Sequence, residues 1–411
     1  MDTLRINPER FLTDFAELGK IGATPEEGVD RPSFSDAHLQ ALEWFRQYAQ
    51  RMGLPARIDA AGNRSICLAS ANTSAPTLLI GSHLDSVYDG GRFDGALGVM
   101  AGLEVLYTIQ DASLKLPFNL EVIAFSDEEG TLVGMLGSKA LTGEYRADLL
   151  DQGTVDRDTI LAALKKGGID VQQIGSAGRD PKTLLGYLEL HIEQGSRLYR
   201  EQKQIGVVTG IVGMCALRIT YTGKANHAGT TGLDDRQDAG LGASAYNLAA
   251  RQMVLEKFPG CVVTVGKMHF TPGGVNIIPA EATFSVDYRS INLKQLDELE
   301  NALIDLAGDQ AKAYRLGVKV EKTLRHEPAM MDAGFRTAIE KSAQVLALSA
   351  ISMPSGAGHD AQTMAAVCPS GMIFVPSQEG ISHSPFERTP DTDCVNGANV
   401  LLQTVINLAK S

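Results

Sequence analysis

Apolar and polar residues follow two rhythms along this chain, and the changes between them mark its elements. Pro8 to Leu18 repeats at helical spacing and predicts an amphipathic helix. FSDAHLQALEWFRQYAQRMGL offers Ser35 or Asp36 as a cap, then Leu39, Leu42, Phe45 and Tyr48 on one face, with Gly53 as its end. ARIDAAGNRSICLAS reads as two short strands about Ala61-Gly62-Asn63. Thr77 to Ile80, and the run opening at Leu120, are unbroken apolar stretches that predict buried strands. Between them Ala96 to Leu106 returns to helical spacing. Helices are also expected at Met135–Leu141 and Asp156–Gly167, with a polar loop over Val171–Lys182. In Leu184 to Leu198, Tyr187, Glu189, His191 and Glu193 alternate with apolar residues, as on a half-buried strand.

The character then changes. From about Gly206 to about Thr323 the order is strand, helix, strand, strand, helix, strand. IGVVTGIVGMCALRITYTG is a long β-rich run, Arg236–Phe258 and Leu293–Arg315 are helical, and CVVTVGKMHFT, ATFSVDYRSI and VKVEKTL are strands. Such a unit fits an inserted α+β domain with its helices on one face of an antiparallel sheet. From Asp332 the α/β pattern resumes, with a helix over Ala333–Leu346 and a strand over Met372–Ser377 before a loop holding His383. The expected division is an α/β body over 1–205 and 324–411, interrupted by an α+β domain over 206–323. No internal repeat or low-complexity segment interrupts this order.

Composition narrows the setting. The 411 residues suggest two or three domains, and 44% hydrophobic with 21% charged is ordinary globular usage. A formal charge of -12, from 37 basic and 49 acidic residues, argues against nucleic acid or an anionic membrane as partner. It leaves room for a small anionic substrate held by a local arginine. Cys67, Cys215, Cys261, Cys368 and Cys394 form no CxxC and no close pair, so they read as free thiols in a reducing compartment. MDTLRINPERF lacks the apolar core of a signal peptide, and no apolar run reaches the length of a membrane span. A cytoplasmic protein is expected.

The chemistry gathers around Gly81–Leu106. A buried strand should deliver His83 and Asp85 to its carboxyl edge, where open α/β sheets keep their ligand sites. Two residues apart on a strand, these side chains share a face, so Asp85 is placed to orient the His83 imidazole. Asp94 follows in a Gly-rich loop at the start of the next helix, a favourable place for a carboxylate. The second strand runs into Asp127, Glu128 and Glu129. Three like charges at a strand end call for a counter-charge, and a divalent cation is the simplest. With His191 and His383, the chain offers three imidazoles and two or three carboxylates, too many for one tetrahedral ion. They suit two ions sharing a carboxylate, with Asp94 as the natural bridge. One acid of the Glu128–Glu129 pair is then spare, and a spare glutamate beside such a centre is a general base.

At this point HLDSVYDGGRFDG, SDEEG, LELHIEQG, HAGTT, NIIP, SGAGHDA and SHSPFE, in this order over nearly the whole chain, resemble the amidase/hydantoinase/carbamoylase group of the M20 metallopeptidase-like hydrolases. The resemblance implies a Zn-exopeptidase-like α/β catalytic domain with an inserted ferredoxin-like lid and dimerisation domain. It implies one metal on His83, Asp94 and His191, and another on Asp94, Glu129 and His383. Glu128 would be the base that activates the attacking water, and Asp85 would orient His83. His191 matters, because two-zinc exopeptidases of this kind carry an acid there, whereas carbamoylases and allantoate amidohydrolases carry this histidine. His227 of HAGTT would stabilise the oxyanion in the partner subunit's site of a homodimer. Asn276 and Arg289 would bind the substrate carboxylate, and Gln194 and Gly358 would line the same pocket. His359 and Asp360 either support the ligands from behind or touch the substrate. His38, His269 and His326 lie in no motif and read as ordinary surface or core residues.

The substrate implied is a small carboxylate-bearing ureido compound, and the cofactors are two divalent ions drawn from Zn, Mn, Co or Ni. Allantoate amidohydrolases resemble this chain but carry an arginine on the first strand of the lid. Here that stretch is GMCALR, with Met214, Cys215 and Ala216, and Arg218 falls two residues late. These small and apolar residues favour an N-carbamoyl-L-amino acid over allantoate or N-carbamoyl-β-alanine. An aminoacylase or dipeptidase activity is disfavoured by His191.

Overall fold

The apolar runs become strands in the computed structural model, which describes residues 3–410. In chain order these are β1 (Ala56–Ile58), β2 (Arg64–Leu68), β3 (Thr77–His83), β4 (Asn119–Phe125), β5 (Leu184–Ile192) and β6 (Ile205–Ile211). Next come β7 (Gly213–Thr222), β8 (Val262–Thr264), β9 (Met268–Thr271), β10 (Glu281–Ser290) and β11 (Gly317–His326). The last are β12 (Ala329–Met330), β13 (Ala350–Ser355) and β14 (Ser370–Val375). The helices are α1 (Pro8–Gly19), α2 (Asp36–Arg51), α3 (Ala96–Asp111), α4 (Leu136–Thr142), α5 (Arg157–Lys166) and α6 (Arg197–Arg200). They continue as α7 (Ala239–Lys257), α8 (Leu293–Tyr314), α9 (Ala333–Val345), α10 (Asp360–Met364) and α11 (Asp391–Leu408). Backbone contacts divide the chain into two units: one up to Thr209 and again from Met330, the other Gly210–Ala329.

The first unit is built on a nine-stranded sheet in the order β1-β2-β4-β3-β5-β14-β6-β12, with β13 beside β6. Its centre is parallel: β3 pairs with β4 and β5, and β5 with β14. Parallel strands point their carboxyl ends the same way, so the segments after β3, β4, β5 and β14 emerge along one edge. Helix α3 makes the crossover from β3 to β4. It is buried on almost every side, packed on β3, β4 and β5 and against α1 and α11. Its buried Glu104 takes two bonds from Arg10 (2.7 and 2.8 Å), one from the Asn7 amide (2.9 Å) and one from the Thr108 hydroxyl (3.0 Å). A buried charge so satisfied is tolerated and ties α1 to α3.

Several expectations shift here. Strand β5 is buried along both faces except at Leu185, because it is central and covered on each side. Its alternation therefore marks a polar face turned into a sealed interior. β14 starts at Ser370 and stops at Val375, since Pro376 has no amide hydrogen to continue the ladder. Helix α11 turns part of its polar stripe inward: Asn399 and Gln403, four residues apart, are buried and bond the Ile6 amide and the Leu4 oxygen.

The second unit has an antiparallel sheet ordered β11-β7-β10-β8, with β9 also beside β10. The β-rich run IGVVTGIVGMCALRITYTG breaks at Val212 into β6 and β7, and CVVTVGKMHFT breaks into β8 and β9. β7 and β10 alternate in burial, and Leu217, Ile219, Phe284 and Val286 pack with Ala243 and Tyr246 of α7 and Leu299 and Leu303 of α8. Cys215 lies on that core side, while Met214 and Ala216 lie on the other face opposite Arg289 and Asp287. Among the described residues no helix is long and apolar enough to cross a membrane.

Two helix glycines test how closely the elements are pressed. A Cβ on Gly98 in α3 would overlap the Leu190 carbonyl oxygen of β5, whereas one on Gly308 in α8 would meet nothing within 4 Å. Alanine favours a helix over glycine by about 0.5–1 kcal/mol, but overpacking costs about 1–3 kcal/mol. Gly308→Ala should therefore raise the thermal midpoint and Gly98→Ala lower it. Equal shifts in calorimetry would mean that α3 is not held against the sheet.

Candidate metal centre

His83 is the last residue of β3. Its Nδ1 lies 3.0 Å from the backbone oxygen of Asp85, and a carbonyl only accepts, so Nδ1 donates and Nε2 is the nitrogen turned to the centre. The expected carboxylate–imidazole bond is not made: β3 ends at His83, the chain turns, and Asp85 Oδ1 stays 3.8 Å from Nδ1. The Asp85 carboxylate is buried and faces elsewhere. It accepts the Glu129 amide at 3.2 Å and lies 2.9 Å from Ser33 Oγ, so it fixes the backbone of the acidic triplet.

Asp94 precedes α3, and Gly95 between them has φ of 62°. A Cβ there would overlap the His83 ring, so glycine lets the imidazole lie against the start of the helix. Asp94 Oδ1 is 3.6 Å from His83 Nε2 and 3.1 Å from His191 Nε2, and its Oδ2 is 3.5 Å from His383 Nε2. His191, near the end of β5, donates Nδ1–H to the Ile192 oxygen at 2.9 Å, which leaves its buried Nε2 facing Asp94.

The triplet after β4 divides its labour. Asp127 turns inward, receiving the amides of Leu132, Val133 and Gly134 at 2.7–3.1 Å and the Ser33 hydroxyl at 2.7 Å. It closes the loop and leaves the centre to its neighbours. Glu128 Oε2 is 3.5 Å from His83 Nε2, and Glu129 Oε2 is 3.4 Å from His383 Nε2. Glu129 Oε1 is buried with no hydrogen-bond partner.

Two groups thus form, His83–Asp94–His191 and Asp94–Glu129–His383, each with its ligand atoms within 4.8 Å of one another. Both fit a metal ion. The Nε2 atoms of the three histidines each face an Asp94 oxygen, a place that a proton or a metal cation must fill. Atoms bound to one tetrahedral ion at about 2.0–2.1 Å sit about 3.3 Å apart, close to the separations seen here. A third group, Glu189, His191 and His359, has its atoms already engaged. Glu189 accepts Ser82 at 2.7 Å and the Ala361 amide at 3.0 Å, and His359 Nε2 meets Ser355 Oγ at 2.9 Å. His359 packs edge-on against His191 with ring centres 4.4 Å apart, and so backs that ring.

The electrostatics agree. Burial, with Asp94 nearby, pushes Glu129 up to about 8. Burial also raises Glu128 well above the usual carboxylate range despite His83, with Asp360 and Glu129 adding to it. Asp360 is raised by burial and by Glu189. Burial opposes the charge on Asp94, but His191, His383 and His83 outweigh it and hold the group well below its ordinary value. The cluster carries more negative charge than its imidazoles balance, the imbalance a divalent ion removes.

Gln194 has φ of 56° and donates Nε2–H to Asp94 Oδ2 at 2.7 Å, so the expected pocket residue rests on the shared carboxylate. Gly358 lies half-buried in the loop before His359. In the second unit, His227 and Asn276 come together: Ile277 forms a bridge with His227, and the Ala228 amide donates to the Asn276 oxygen at 2.9 Å. His227 Nδ1 accepts the Gly229 amide at 3.0 Å, which puts the proton of the neutral ring on Nε2. Arg289 pairs with Asp287 at 3.0 Å, two residues away on the same face of β10. Glu387, buried between the Asp94 and His383 loops, is a site residue the sequence hid, its one signal being its place in SHSPFE.

Residues 79–407 match the model of peptidase family M20/M25/M40. The chain is 37% identical over 407 residues to the N-carbamoyl-L-amino acid amidohydrolase of Geobacillus stearothermophilus, covering 98% of this chain and 99% of that one. It is 31% identical to the ureidoglycolate hydrolase of Arabidopsis thaliana, over 99% of this chain and 88% of that one. Among solved structures it resembles an amidase of the hydantoinase/carbamoylase family from Burkholderia multivorans, with a TM-score of 0.90, 32% identity and full coverage of both chains. The α/β fold with its candidate ligands along one sheet edge, and matches over the whole length, place this chain in peptidase family M20/M25/M40, a family of metal-dependent hydrolases.

Proposed function

We propose that this chain hydrolyses the ureido C–N bond of N-carbamoyl-L-amino acids, releasing the amino acid, carbon dioxide and ammonia. The observation that carries this reading is the pairing of two ligand groups through Asp94 with a buried Glu128 that belongs to neither group. Relatives named for this activity, similar over the full chain, support the substrate class. His83, Asp94 and His191 would hold one divalent ion, and Asp94, Glu129 and His383 the other; Zn, Mn, Co and Ni all suit such ligands. When bound, the ions supply Lewis acidity and lower the pKa of the attacking water.

The chain's own groups do the rest. Glu128 takes the proton of the attacking water and returns it to the leaving amine. Arg289, held by Asp287, and Asn276 bind the substrate carboxylate, and Gln194 and Gly358 line the pocket. His227 donates Nε2–H to the developing oxyanion. The second unit acts as lid and dimerisation domain. In support, Leu241, Leu248 and Leu255 recur every seven residues on α7 with 52–74% exposure, beside Val262 at 54% on the edge strand β8. Five free cysteines, four of them buried, suit the cytoplasm. A second reading, ureidoglycolate as substrate, is favoured by the Arabidopsis thaliana relative and by similarity to AtUAH solved with glyoxylate, and allantoate is the related alternative that the motifs leave open. Met214 and Ala216 beside Arg289 favour the first. Ammonia release from N-carbamoyl-L-methionine, allantoate, ureidoglycolate and an N-acetyl amino acid, assayed in parallel, separates the two. Turnover of the carbamoyl compound below that of allantoate or ureidoglycolate would overturn the assignment.

Two variants divide base from ligand. Glu128→Gln should keep its metal and lose about 100-fold or more in turnover, since an amide accepts no proton. Activity within about tenfold of wild type, roughly 1.4 kcal/mol of barrier, would remove Glu128 from the role. Asp94→Ala should lose metal and activity together, and normal metal content per chain would refute the bridge.

A mixed dimer tests the shared site. His227→Ala and Glu128→Gln chains, each inactive alone, should together regain up to about half the wild-type activity per dimer, because one site then receives both intact residues. No recovery, with heterodimers confirmed, would mean that His227 acts in its own chain or not at all.

A further inference from the structure

Asp94 and His383 reach the centre from loops at opposite ends of the first unit, and one buried side chain stitches those loops together. Glu387 is 3% exposed. Its Oε1 accepts the backbone amides of Phe93 and Asp94, both at 3.0 Å, across 293 residues of sequence to Asp94. Its Oε2 accepts the Ser382 hydroxyl at 2.8 Å, and Ser382 Oγ in turn lies 3.2 Å from Asp94 Oδ2. The Glu387 amide donates to the Ser384 oxygen at 3.0 Å, closing the turn that carries His383. Space is kept for this clamp: a Cβ on Gly91 would collide with the Glu387 carboxylate, and one on Gly28 with Pro385. His83 and His191 need no such support, because they stand on the paired strands β3 and β5.

We propose that Glu387 is a positioning residue that holds the Asp94 and His383 loops at the spacing the Asp94–Glu129–His383 ion needs, while the His83–Asp94–His191 ion does not depend on it. This deepens the two-ion reading above and rests on it. The carboxylate is suited to the task because two backbone amides and one hydroxyl meet it at 2.8–3.0 Å. Removing it leaves two buried amides unpaired and frees the turn under His383.

The test is metal stoichiometry rather than rate. Metal-free protein is titrated with Zn²⁺ alone against a chromophoric chelator. Wild type should bind two equivalents. Glu387→Ala should bind one equivalent as wild type does and the other at least tenfold more weakly, with turnover recovering as Zn²⁺ is raised. Glu387→Gln keeps an oxygen for both amides and should restore the second affinity to within about threefold. Should Glu387→Ala fail to fold, Glu387→Asp withdraws the carboxylate by one methylene and should show the same selective loss. Two equivalents bound at wild-type affinity in the Ala or Asp variant, or both weakened equally, would overturn the role of Glu387. A single equivalent in the wild type would instead overturn the two-ion reading itself.

Discussion

The arrangement depends on one electrostatic constraint: a buried carboxylate, Asp94, surrounded by three imidazole nitrogens. For two of the rings a backbone carbonyl engages the far nitrogen, so His83 and His191 turn Nε2 towards it. Glu128 and Glu129 close the same space, and burial makes their charges hard to carry without a cation. Hydrophobic packing alone would expel such a cluster. It persists because the strand ends are held by the apolar sheet core, and the start of α3 and the acidic loop by backbone amides donated to Glu387, Asp85 and Asp127.

Much of the support is backbone rather than side chain. Asp85 acts through its carbonyl on His83 and through its carboxylate on the amide of Glu129. Asp127 uses its whole carboxylate to wrap the loop over Leu132–Gly134, which fixes the direction in which Glu128 and Glu129 leave the strand. Gly95 lets the His83 ring touch the helix start. Each device removes freedom from a ligand-bearing segment before any ligand arrives, and that preorganisation separates a centre from a mere acidic patch.

The second unit is organised by different physics. Its sheet buries one face under α7 and α8 and leaves the other half-open, where Met214, Ala216, Asp287 and Arg289 lie together. The apolar stripe of α7 and the edge strand β8 are surfaces a lone unit would leave to water. The polar face of the sheet and the apolar stripe of α7 thus lie on opposite sides of one small domain.

The sequence by itself determined the rhythm of the elements and the residue types at their ends. Apolar runs into His83 and into Asp127–Glu129 announce strands ending in candidate ligands and acids, and the alternation through His191 announces β5, because period and composition are local properties. It did not determine that β5 is sealed on both faces, that α11 is a helix, or that Asp85 turns its carboxylate away from His83. Those follow from strand order, from what covers each face, and from where β3 ends. Nor does any spacing reveal that Gln194 rests on Asp94 or that Glu387 reaches the Asp94 backbone across 293 residues. Periodicity fixes which face of its own element a residue occupies. Which distant backbone it meets is decided only when the parallel strands bring their carboxyl ends to one edge.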